Sequence, residues 1–150
     1  MPGAGAGQNQ KPALPEQRRV KHKPRIGLSG ELRFTVAPEH AIDFAESGMP
    51  VVLSTPWLIK LLERTARECL LPLLEDGERS VGVTIELHHM APTPLGQAVT
   101  CTARVIGSDD TLISFQVEAR DEHELIARGH HQRQVIRVDR FAQRVRSKQR

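Results

Sequence analysis

Apolar and polar residues alternate with two different periods along this chain, and each change of period marks an element. From Ser54 to Leu74 the period is helical. Leu58, Ile59, Leu61, Leu62, Thr65, Ala66, Cys69, Leu70 and Leu73 form one broad stripe, with Lys60, Arg64, Arg67 and Glu68 opposite. Ser54 or Thr55 can cap the start, because a side-chain oxygen there accepts an orphan helical N–H. Pro56 suits the first helical position, where its missing N–H costs nothing. Pro72 and Gly77 mark the far end. Glu63 stands at the edge of the apolar stripe, beside Ile59 and Leu70. There it can pair with Arg67 one turn on, or serve as a partly buried carboxylate suited to base catalysis.

Elsewhere the period is two, which predicts strands. Leu32, Phe34 and Val36 alternate with Glu31, Arg33 and Thr35. In Ser80–Ala91, Val83, Ile85, Leu87 and His89 share one face, so His89 points where the apolar residues point. Further strands are expected over 97–106, 112–120 and 125–138, with Leu125, Ala127, Gly129, His131, Arg133 and Val135 on one side of the last. Gly- and Asp-containing turns separate them. The stretch 38–50 is a connection with room for a short helical turn.

The order is therefore strand, helix, then four antiparallel strands. The one long helix is the only available cover for the apolar face of the sheet. This is an α+β class, the hotdog fold, in which an antiparallel sheet wraps around one long central helix. One such sheet leaves an edge to be paired, so a homodimer is expected, with a tetramer open.

Composition narrows the function. No run of about 18 apolar residues exists, so no membrane span is implied. The N-terminal stretch has no apolar segment of the secretory kind, and a cytoplasmic location is expected. Two cysteines, Cys69 and Cys101, make neither a disulfide framework nor a metal site. His88, His130 and His131 fit no standard metal spacing, so no metal and no cofactor are expected. Charge is uneven: residues 1–25 carry +5 and residues 137–150 another +5, so with +3 over the whole chain the middle carries −7. We expect a flexible basic tail over 1–25, one domain over 26–140, and a basic tail over 141–150. Phe141 is the only aromatic residue in either tail, which argues against a specific nucleic-acid reader.

STPWLIKLLERTA, SVGVTIELHHMAPTPLGQAVTCTARV and ARGHHQRQVI, in this order, resemble the fluoroacetyl-CoA thioesterase-like group of hotdog acyl-CoA thioesterases. The resemblance runs from about Leu32 to about Arg146. It implies an acyl-CoA substrate and a threonine, glutamate and histidine active-site set, which match Thr55, Glu63 and His89. It also implies substrate contacts at Gly82 and Arg133. Arg133 could meet a coenzyme A phosphate or pair with a strand acid such as Glu86 or Glu118; Gly82 could simply allow a close backbone approach.

Two departures from the fluoroacetyl enzyme are visible. Residues 38–53 form a shorter lid, with Phe44 as its only aromatic residue. Pro56 replaces the glycine after the threonine and cannot donate an N–H, which leaves the Trp57 amide or the Thr55 hydroxyl to polarise the carbonyl. Thr55 and Glu63 are eight residues apart, roughly 12 Å along a helix axis. If both touch one thioester, the second comes from a partner chain. The alternatives are a hotdog protein that binds acyl-CoA without turnover, a hotdog hydratase, which would need an Asp absent from this helix, and a basic-tailed interaction module.

Overall fold

The computed structural model describes residues 23–150. The expected disorder of the first residues concerns mainly positions outside that range. Five strands form one antiparallel sheet: β1 (Ser29–Thr35), β2 (Glu78–His89), β3 (Ala98–Asp109), β4 (Leu112–Arg120) and β5 (Leu125–Arg137), in the order β1-β3-β4-β5-β2. Helix α1 (Thr55–Leu70) lies against one face, and a second helix, α2 (Val138–Ser147), follows β5. Single 3₁₀ turns occur at Pro38–His40 and Leu71–Leu73. Pro72 thus ends α1 a turn earlier than Leu74, by tightening its last turn.

Ser54 is the N-cap, its hydroxyl accepting a long 3.4 Å bond from the Trp57 amide. Thr55 is the first helical residue, so its hydroxyl is released from capping. The buried stripe of Leu58, Leu61, Leu62, Thr65, Ala66 and Leu70 meets Val99, Cys101, Val105, Ile113, Phe115 and Val117 from the sheet. Each large side chain fully removed from water there contributes about 1.5–3 kcal/mol. At Gly129 the backbones of β5 and β2 approach so closely that a Cβ would lie 1.9 Å from the Glu86 carbonyl oxygen.

The register defines two ends of the sheet. Thr35 pairs with Ala98, Arg120 with Leu125, and His89 with Ala127 at one end; Ser29 pairs with Arg104, Asp109 with Leu112, and Glu78 with Arg137 at the other. The N-terminal segment and α2 leave from this second end.

Two expectations change. Val83 does not share a face with Ile85, Leu87 and His89. A register shift between Gly82 and Thr84 makes Val83 a bulge residue, 55% exposed, and turns Ser80 and Gly82 inward instead. The domain boundary expected at residue 140 falls inside α2, because helical spacing of Val138, Phe141 and Val145 carries the chain past it.

Candidate active site

Thr55 and His89 meet at the first end of the sheet. Thr55 Oγ1 lies 2.7 Å from His89 Nδ1, bringing the opening residue of α1 to the last residue of β2. The opposite ring nitrogen, Nε2, is buried and has no hydrogen-bond partner among the described residues. Burial lowers the His89 pKa below its ordinary value, and the Ala91 backbone only partly offsets this. Burial thus favours the neutral ring, with Nδ1 on the Thr55 hydroxyl. If Nδ1–H donates to Thr55 Oγ1, the hydroxyl proton can point to a substrate oxygen while Nε2 keeps a lone pair.

The surrounding walls explain why these residues meet. The 3₁₀ turn at Pro38–His40 and the connection after it are held at their base: the Ile42 amide donates to the Val52 carbonyl, the Ser54 amide to the His40 carbonyl and the Leu53 amide to the Thr93 carbonyl. Thr55, Ile42, Phe44 and Trp57 line a cavity of about 600 Å³. Trp57 and Glu39 also line a neighbouring cavity of about 690 Å³, which Glu63 lines with them. The Trp57 amide is engaged by the N-cap, so its contribution to the site is its ring, which packs edge-on against His40 at 5.2 Å with the Lys60 ammonium 4.4 Å from its centroid.

Glu63 is half-buried and does not join the Thr55–His89 pair within the cavity that holds it. It faces Gly82: a Cβ at that position would lie 2.6 Å from Glu63 Oε1. Gly82 therefore leaves a notch for a carboxylate. Behind the notch, Arg133 is 4% exposed; its Nε donates to Ser80 Oγ at 2.9 Å, one terminal nitrogen to the Ser80 carbonyl at 2.8 Å and the other to His131 Nε2 at 3.2 Å. His131 in turn holds its Nδ1 2.8 Å from the Thr84 carbonyl. Those partners require the tautomer with hydrogen on Nδ1. The Glu63 carboxylate acts on the charges of both Arg133 and His131.

Of the two readings of Arg133, the ion pair with Glu86 or Glu118 does not form, because both acids alternate onto the outer face of the sheet while Arg133 faces the helix. Sequence reasoning also grouped His131 with His88 and His130 and missed its role. The signal was its place among apolar residues on the inward face of β5. Among the described residues no group of three His, Cys, Asp or Glu side chains could hold a metal ion.

The family model for the fluoroacetyl-CoA-specific thioesterase FlK matches residues 36–139, most of the chain. The chain belongs to the fluoroacetyl-CoA-specific thioesterase family. Its similarity to the fluoroacetyl-CoA thioesterase of Streptantibioticus cattleyicolor is 33% identity over 137 residues, covering 86% of this chain and 97% of that protein. A crystal structure of the fluoroacetyl-CoA thioesterase FlK is similar at 33% identity and a TM-score of 0.78, over 83% of this chain and 97% of that one. A thioesterase-superfamily protein of Thermus thermophilus is similar at 28% identity and a TM-score of 0.76, over 83% and 93% of the two chains. This member of the family is thus a thioester hydrolase with the hotdog fold, and acyl-CoA is its substrate class.

Proposed function

We propose that this thioesterase hydrolyses a small to medium acyl-CoA at a site built across a homodimer, from Thr55 and His89 of one protomer and Glu63 of its partner. The observation that carries the reading is the Thr55–His89 pair at the start of α1, standing apart from the Glu63 carboxylate in its Gly82 notch. β2 is an edge strand of twelve residues, and unpaired edges seek a partner. Antiparallel pairing of two β2 edges about Glu86 sets Thr84 against the partner's His88. The extra residue at Val83 then brings Gly82, and with it Glu63, opposite the partner's His89. That register places the two Glu86 side chains side by side in solvent, each with His88 Nε2 at 3.9 Å.

In this site the thioester carbonyl oxygen faces the positive start of α1 and the Thr55 hydroxyl, where charge develops in the transition state. Pro56 offers no N–H, so the hydroxyl is the principal donor. Glu63 either removes a proton from water or attacks the carbonyl carbon itself. His89, held by Thr55, orients the water or relays to the leaving thiolate the proton that Glu63 has taken from water. Gly82 and Arg133 shape the pocket: the glycine leaves the space, and the guanidinium supplies positive charge behind the carboxylate.

The cavity lined by Ile42, Phe44 and Trp57 suits an apolar acyl group. With Phe44 the only aromatic residue of the short lid, we do not assign selectivity for fluoroacetate. No described helix is long and apolar enough to cross a membrane, and a cytoplasmic setting is our reading. A hydrolysis screen over short, branched and aromatic acyl-CoAs tests the activity. Turnover of short acyl chains is expected; tight binding of acyl-CoA with no turnover of any would favour a non-catalytic carrier.

A further inference from the structure

Helix α2 is amphipathic, yet it buries no residue against its own protomer. Val138, Phe141 and Val145 are 42%, 44% and 43% exposed and form one stripe at spacings of three and four residues. Arg140, Arg144 and Lys148 follow one another at intervals of four on the adjoining face. The helix is tethered to the body at its first turn, where the Val138 amide donates to the Gly77 carbonyl at 2.9 Å. A second apolar group lies at the opposite end of the sheet, around Thr55 and His89. Phe44, Met49, Val51, Met90 and Leu95 are 59%, 43%, 39%, 52% and 41% exposed. The bridge between Val52 and Pro94 holds the two loops that carry them together.

The two groups sit at opposite ends of one protomer but meet across the dimer proposed above. Antiparallel pairing of β2 edges sets the Glu78 end of one strand against the chain just beyond the partner's His89. Glu78 is paired with Arg137 in its own sheet, and α2 begins at the next residue. We infer that α2 of each protomer docks on the 42–51 and 90–95 loops of its partner, where its apolar stripe roofs the Thr55–His89 pocket and its arginines flank the entrance used by coenzyme A.

This inference rests on the dimer of the proposed function. Both faces gain what they lack. The stripe of α2 and the exposed loop residues cover each other, and the interface extends beyond the strand edge toward the roughly 800 Å² per partner of a stable complex. The arginine face stays in water beside the mouth, placed to meet the phosphates of coenzyme A, which guanidinium groups bind well. The site of one protomer is then incomplete without the helix of the other.

The test uses the full chain with Cys69→Ala and Cys101→Ala as background. One differently tagged population carries Phe141→Cys and the other Met49→Cys, mixed to form heterodimers and treated with a short bis-maleimide. In parallel, an Arg140→Ala, Arg144→Ala variant is assayed with an acyl-CoA substrate. Expected are a cross-link joining the two tagged chains and, for the arginine variant, a KM raised about tenfold with kcat nearly unchanged, since rim charges act on substrate capture. A dimeric Phe141→Cys and Met49→Cys pair that gives no cross-link, together with an unchanged KM in the arginine variant, overturns the α2 inference alone. A wild-type protein that runs as a monomer at assay concentration overturns the dimer reading and this inference together.

Discussion

The Glu63 carboxylate fills the space that a side chain at Gly82 would need, with Oε1 only 2.6 Å from where a Cβ would stand. One residue on the edge strand thus sets the position of a carboxylate on the central helix. Arg133 sits behind the same notch, its donors committed to Ser80 and His131. The carboxylate thus rests against the Gly82 backbone, and the charge of the buried Arg133 acts on it.

Gly82→Ala should therefore move Glu63 without unfolding the protein, because the displaced group is the end of a flexible side chain. A displacement of about 1 Å can cost about 10²-fold in rate. We expect kcat/KM for acyl-CoA to fall by about that factor, with the urea midpoint changed little. Circular dichroism and a thioester assay on the same preparation check this; unchanged turnover would mean the notch has no part in placing the carboxylate.

The Thr55 hydroxyl separates into two replacements. Thr55→Ser keeps the oxygen that faces His89, and should retain most activity. Thr55→Val keeps the shape and loses the hydroxyl, and should lose about 10²–10³-fold in kcat, the usual effect of removing an oxyanion donor. Equal activity of the two variants would assign the oxyanion to another donor.

His89 sets an acid limit. Its pKa lies below the ordinary 6.5 because the ring is buried, so the neutral ring persists as the pH falls past that value. The acid limb of kcat/KM against pH should have its midpoint below 6.5, and activity at pH 6.5 should remain above half of its plateau. A midpoint at or above 6.5 would point to a different group.

His131 links stability to pH by the same shift and a firmer cage. It is fully buried, and burial lowers its pKa, with Arg133 acting in the same direction. Between 6.5 and the lowered native value, the unfolded chain binds more protons than the native one. Stability therefore falls as the pH falls through that window, by up to about 1.4 kcal/mol per unit of pKa difference, and the slope from this group ends below the native value. Urea unfolding between pH 7.5 and pH 5.0 should show this fall, and His131→Gln should flatten it. A slope unchanged in the variant would assign the effect to other histidines.

Much of this architecture is legible in the sequence because its signals are local. The stripe on α1 and the alternation in β4 require only neighbours a few residues away, and β4 falls where the pattern puts it, at Leu112–Arg120. Legibility fails where one residue breaks a period. Val83 is apolar and in phase with Ile85, so nothing in its own chemistry announces the bulge that exposes it. In α2 the density of arginines resembles a solvated tail, and three apolar residues within it carry the helix. The chemistry-bearing residues could be selected by type and resemblance, but not their grouping. Thr55 and His89 are thirty-four residues apart and meet only because α1 starts where β2 ends. His131 was visible on the inward face of β5; its duty as acceptor for Arg133 depends on Ser80 and Thr84 across the sheet.

The central claim, one site drawn from two protomers, is tested most directly by mixing two inactive variants. Glu63→Ala and His89→Ala are purified separately, combined under conditions that exchange subunits, and assayed with a short acyl-CoA. In a heterodimer one site collects both lesions and the other has none, so the mixture should recover about one quarter of wild-type activity from random reassortment in a symmetric dimer. A mixture shown to contain heterodimers that stays as inactive as its components would contradict the account and place the whole reacting set within a single chain.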